Sequence, residues 1–280
     1  MSAQEAAVIV DWTAFFSSIL GALVAIIGSI AVAWMYIRNE NKKSAKFRIY
    51  KRVQDTFFEK GLLPLTMALD IYGFSASFAI FDVNLRVRRC FILKTESIED
   101  LETAFKQIRD RPIVSDLLTK KFELSLKISP TVQRFGNELQ GAVNNTFQFY
   151  SIILSEALDV KYIKSQVEES PETFTRGLYN MGRIMDLIRA FLEKKLINIR
   201  DYVWNQELGN YEDFLELFNA EKYKNFLSLI ESYNKYLVAL WDTIRLPSEG
   251  AKQAEISINF TKWLSENMEN NPLCKATDER

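Results

Sequence analysis

Ser17, Gly21, Ala25, Ser29 and Ala33 recur at every fourth position inside a 26-residue run, Trp12 to Ile37, that contains no Asp, Glu, Lys or Arg. The chemistry open to such residues is non-covalent. Hydrocarbon gives two apolar helices no hydrophobic reason to associate, so attraction comes from backbones approaching closely over small side chains and from short hydroxyl hydrogen bonds. The ridge therefore predicts packing against a second copy of the chain or against the span of another membrane protein. Small residues are frequent in spans in any case. The expectation rests on five consecutive hits along one face, with Leu20, Leu23, Ile26, Ile27 and Ile30 on the others.

Covalent chemistry has little to work with. The chain has no histidine, which removes imidazole bases, His-based triads and His-ligated metals or haem. No phosphate loop, dinucleotide fingerprint, nucleophile elbow, CxxC or EF-hand pattern occurs. Gly177 and Gly182 sit five apart in a helical pattern and read as a close approach of a neighbouring helix or a kink. The acid pairs Glu99-Asp100, Glu168-Glu169 and Glu212-Asp213 read as helix starts and surface, where they complement the helix dipole. The expectation is a protein without catalytic, metal-binding or cofactor-binding residues.

The elements that must carry the ridge follow from length. A helix over residues 12–37 measures roughly 39 Å, enough for a hydrocarbon core of about 30 Å. The leader, residues 1–11, carries Glu5 and Asp11 and no base, unlike a cleaved signal. Trp12 at one edge, and Trp34 with Tyr36 at the other, suit the headgroup layer. Behind the span, Arg38, Lys42, Lys43, Lys46, Arg48, Lys51 and Arg52 face Glu40 alone, a net of +6 over residues 38–52. Bases beside a span stay on the cytoplasmic side, so the amino terminus is expected outside and the rest in the cytosol, at the plasma or inner membrane. The same cluster is expected to meet anionic lipid.

Residues 53–280 carry a net charge of −5, which speaks against nucleic acid as a partner. Two cysteines, Cys90 and Cys274, make no disulfide framework. The acceptor patterns at Asn144 and Asn259 read as chance. With 10 Gly and 6 Pro in the whole chain, the distal region predicts an all-α fold. The expected organisation is a basic juxtamembrane helix over 38–60, a helical domain over 61–268 and a tail over 269–280. The first helix is expected to bend or end at Gly61 and Pro64, with a second over 65–93. Ser97 and Asp100 resemble a capping box. Pro112 opens a helix expected to reach 128, where Pro130 stops it. Longer helices follow over 131–160, over 171–204 with Ser170 as cap, and over 211–245, and an amphipathic one over 252–268.

Tyr223, Phe226, Ile230, Tyr233, Leu237, Leu240 and Ile244 alternate steps of three and four, a coiled-coil-like seam. Two neighbouring long helices normally pack on each other. The seam is therefore expected in the core of an antiparallel bundle, against Met181, Met185, Ile188, Leu192, Leu196 and Ile199. The abundance of Phe and Tyr reads as core mass. Taken together, the expectation is an all-α, single-pass membrane protein that associates through its span, touches membrane lipid, forms a homo-oligomer or joins another membrane protein, and engages a cytosolic protein. The alternative is an oligomeric pore or membrane-disrupting effector, with Thr13, Ser17, Ser18, Gly21 and Ser29 facing a lumen.

Overall fold

The computed structural model describes residues 12–245, except 123, 125, 169, 206–211, 213–214 and 217–219, together with Lys262. The leader, the tail and, Lys262 apart, the helix expected over 252–268 lie outside the described residues. So do the side chains of Ser17, Gly21, Ala25, Tyr223, Phe226, Leu240 and Ile244.

Among the described residues the chain is all-helical. The helix α1 (Trp12–Phe57) does not end at Gly61 or Pro64. It runs on through wide π turns at Phe58–Leu62, Leu69–Gly73 and Arg88–Ile92, separated by α2 (Leu63–Ala68) and α3 (Phe74–Val87). The helical path from 12 to 92 is roughly 120 Å long at 1.5 Å per residue. Two features of the sequence explain why it bends into wider turns rather than breaking. Pro64 has no N–H to give, and the preceding π turn already reroutes the ladder, with Leu63 N–H donating to the Phe58 carbonyl. The spacing of the apolar face is the second. From Phe57 one line of buried positions falls at 61, 65, 69 and 73, four successive steps of four, with Leu62 and Ala68 buried beside it. On an α-helix each such step carries the face round by about 40°, so four would turn it from core toward solvent. The first two π turns coincide with those steps and keep one face inward.

The rest of the bundle wraps the far half of this helix. α4 (Ile98–Arg109) begins with the expected capping box: Asp100 N–H donates to Ser97 Oγ at 3.1 Å, and Ser97 N–H to Asp100 Oδ2 at 2.8 Å. α5 (Pro112–Leu118) stops ten residues before 128. Lys120 adopts φ 56°, and Lys121 N–H reaches back to the Asp116 carbonyl at 2.9 Å. That six-to-one bond is a Schellman closure, formed by a lysine where no glycine signals it. The described residues between 121 and 129 are not helical, and Gln140 Nε2 donates to the Leu124 carbonyl. α6 (Gln133–Ala157) buries Phe135, Leu139, Val143, Phe147, Tyr150 and Leu154, residues spaced three or four apart along one side. The short α7 (Val160–Val167) is capped by Asp159. α8 (Pro171–Asn205) starts at Ser170, whose Oγ accepts from Thr173 N–H at 3.4 Å. The last helix, α9, covers Glu221–Arg245.

α3 and α8 form the most extensive pairing, and they are antiparallel. A Cβ on Gly73 would lie 2.9 Å from Arg189 Cγ, and one on Gly182 would lie 2.7 Å from Phe81 Cε1. Gly182 is thus the close-approach glycine its helical context implied. α6 closes the core: Tyr72 and Phe147 rings are 5.2 Å apart, and Tyr150 Oη donates to the Met185 carbonyl at 2.5 Å. Burial pushes the Tyr150 phenol well above its usual range, so it remains a donor.

Candidate functional site

The residues that point to function lie along one helix. Near the N-terminus that helix is long and apolar enough to cross a membrane, with 44 % of the qualifying stretch of Ile26–Ile92 buried in the bundle. From Ile26 to Ile49 every residue is exposed except Ala45, which is half-buried, and Ile26, Ile27, Ile30, Val32, Met35 and Ile37 are among them. Over residues 26–37 the exposed surface is apolar on all sides, which matches a lipid solvent better than water. On the ridge, Ser29 and Ala33 are exposed, and Ser29 Oγ donates to the Ile26 carbonyl at 2.9 Å. That hydroxyl is satisfied within its own helix. Close packing at Ser29 would then depend on its small size rather than on an interhelical hydrogen bond.

The seven bases that follow are all exposed and distributed round the whole circumference. At 100° per residue Arg38, Lys42, Lys46 and Arg52 fall on one side and Lys43, Arg48 and Lys51 on the others. Arg38 lies 5.1 Å from the Trp34 ring, a cation–π contact at the edge of the apolar run. Lys46 pairs with Glu212 at 3.5 Å. Burial begins at Tyr50, then Gln54 and Phe57. The bundle core therefore starts about one helical turn into the basic segment's second half, ahead of the boundary at 61 expected from the glycine. Residues 38–49 form an exposed stalk, roughly 18 Å long.

Beyond the stalk the outward face of the same helix carries Leu63, Met67, Ile71, Phe74, Phe78 and Leu85, all exposed. They follow steps of four, four, three, four and seven, and the Phe74 and Phe78 rings stack with centroids 6.1 Å apart. Sequence reasoning missed this stripe, because spacing alone does not separate an outward apolar face from the buried face of the same helix. The signal that could have found it is the breadth of the pattern: over 61–80 apolar positions occupy two sides of the helix, one more than a core needs.

The seam on α9 belongs to the core where it is described. Ile230, Tyr233 and Leu237 are buried. Tyr233 Oη lies 3.1 Å from Thr146 Oγ1 on α6, and its ring 5.9 Å from Phe191 on α8. α9 packs more on α6 than on α8. The face of α8 named as its partner, Met181 to Ile199, is buried but spends most of its contacts on the long helix. In the glycosylation acceptor pattern at Asn144, Thr146 is fully buried and Asn144 half-buried.

Two ion networks hold the long helix to its neighbours. Arg189 on α8 gathers Asp186, Glu193 and, from the second π turn, Asp70, at 3.0, 2.9 and 3.3 Å. Burial, then the charge of Asp70, raises the Glu193 carboxyl above its ordinary range despite Arg189. Near the third π turn, Glu96 accepts from Arg86 and Arg89 at 2.9 and 3.1 Å, while Asp82 meets Arg111 at 2.5 Å. Of the acid pairs, Asp100 is occupied by its cap, which lowers its carboxyl below the ordinary range, and Glu212 by Lys46. Lys195 is buried with its ammonium 5.5 Å from the Phe191 ring.

Compared with protein-family models, with curated proteins and with solved structures, the chain matches none.

Proposed function

We propose that the chain is a single-pass, membrane-anchored helical module that assembles with copies of itself along its long helix and offers the bundle to cytosolic proteins. The observation that carries this reading is the continuity of that helix: the apolar segment, the basic stalk and the outward stripe are stages of one rod. Two copies in one membrane hold identical stripes at identical height, so a contact between spans raises the effective concentration of the stripes for each other. A parallel, two-fold pairing would set Phe74 and Phe78 against their own counterparts.

Orientation follows from charge. The +6 of residues 38–52 favours the cytosolic side for the bundle, with residues 1–11 outside. If the helix leaves the bilayer upright after Ile37, Arg38, Lys42 and Lys43 stand within about 10 Å of the surface, a Debye length. The other four bases reach anionic lipid when the rod tilts. The sleeve-like distribution suits both postures, because some bases face the membrane whatever the rotation.

The test is self-association of the full chain in lipid vesicles, read by energy transfer between labelled copies. Replacing Gly21 and Ala25 with Leu should weaken it, whereas the same bulk at Ala22 and Val24 should not. Equal effects from both pairs, or a monomer throughout, would remove the ridge from the account. Ion flux through the wild type that disappears in Ser17→Leu with Ser29→Leu would replace the anchor with a pore.

A further inference from the structure

At the end of the bundle farthest from the span, α3, the third π turn and the first turns of α8 enclose a groove of about 410 Å³. This is the size of a small-ligand site. Arg88 and Arg176 both line it, and neither guanidinium is engaged in an ion pair among the described residues. Glu172 is the acid on its wall, so the lining carries an excess positive charge. The groove also takes in the first turns of α8, where the positive end of the helix dipole favours an anion.

A second and independent feature is Asn84. It lines the same groove, is only 7 % exposed, and its Oδ1 accepts no hydrogen bond. Buried polar atoms are nearly always paired, and exceptions gather where a ligand completes them. Thr175 beside it is buried, and its hydroxyl donates to the Glu172 carbonyl while keeping acceptor capacity. Tyr179 offers a ring that is 46 % exposed. π turns inside α-helices recur at functional sites, and Arg88 begins one.

We propose that this groove binds a nucleotide, its phosphate held by Arg88 and Arg176, its base against Tyr179 and its exocyclic amine on Asn84. Adenine comes first among the bases, because its N6–H and N7 match the acceptor and donor of one asparagine amide. A lipid headgroup of the anchoring membrane is excluded by distance. Arg88 lies 51 residues beyond Ile37 on the same helix, roughly 75 Å along its path. The inference stands apart from self-association and survives its failure.

The experiment is equilibrium dialysis of the full chain in nanodiscs against AMP, purine riboside 5′-monophosphate, which lacks the amine, and inorganic phosphate. AMP should bind saturably, and about tenfold more tightly than the amine-free analogue, the worth of one hydrogen bond. Arg88→Ala and Arg176→Ala should each weaken AMP about tenfold or more, since a charged contact is lost. Asn84→Leu should erase the preference for the amine while leaving phosphate affinity in place. If circular dichroism shows that variant unfolded, Asn84→Ser serves in its place. No saturable AMP binding at millimolar concentration, or binding indifferent to both arginine changes, would overturn the proposal. Phosphate bound as tightly as AMP would overturn its base-reading part.

Discussion

Replacing Phe74 and Phe78 with Ser should dissociate the assembled module without unfolding its parts. At about 200 Å² per aromatic side chain, their exposures of 59 % and 54 % leave about 230 Å² of ring per copy in water. At about 25 cal/mol per Å², complete coverage would be worth about 6 kcal/mol per copy, an upper bound because association has its own costs. A parallel seam covering a third of that area gains about 4 kcal/mol per dimer, close to a thousandfold in Kd. Folding of the single copy should change by less than about 1 kcal/mol, because the rings are exposed before association. The measurement is energy transfer between copies in vesicles, with residues 12–37 exchanged for an unrelated span so that the stripe alone is read. Val238→Ser, at an exposed position of α9, is the control. Transfer that is equal in the stripe variant and the control would refute the reasoning, and so would a loss of helicity in the stripe variant.

Three further outcomes are expected. Cys274 should resist a membrane-impermeant thiol reagent in intact cells and react after permeabilisation, while Ser2→Cys should react from outside; labelling of Cys274 in intact cells reverses the orientation. Gly182→Val should lower stability by about 2 kcal/mol, since its Cβ meets Phe81 at 2.7 Å, and Phe81→Ala should restore much of it; additive effects in chemical denaturation would deny that contact. Glu193→Gln should flatten the stability profile just above the ordinary carboxylate range. A carboxyl whose folded pKa is raised opposes folding above that pKa, and its protonation relieves the penalty as pH falls, so an unchanged pH slope would show that Glu193 does not titrate there.

The sequence by itself determined what depends on local spacing and on solvent. A charge-free run of 26 residues needs no tertiary partner to be apolar on all sides. The capping box at Ser97, the start of α8 at Ser170-Pro171 and the buried face of α6 each rest on contacts within four residues, so reading along the chain finds them. The continuity of the long helix was decided elsewhere. Gly61 and Pro64 are breakers by propensity, yet packing against α8 and α6 holds the rod together, because a wide turn loses less than a burst core would. The close of α5 at Lys120 likewise turns on a left-handed residue that no composition rule marks. The division of apolar positions between core and outward stripe depends on which neighbours arrive, and α8 reaches one side of α3 only. The pairing of Arg88 with Arg176, 88 residues apart in sequence, exists only because α3 and α8 run antiparallel, and chain spacing carries no trace of that juxtaposition.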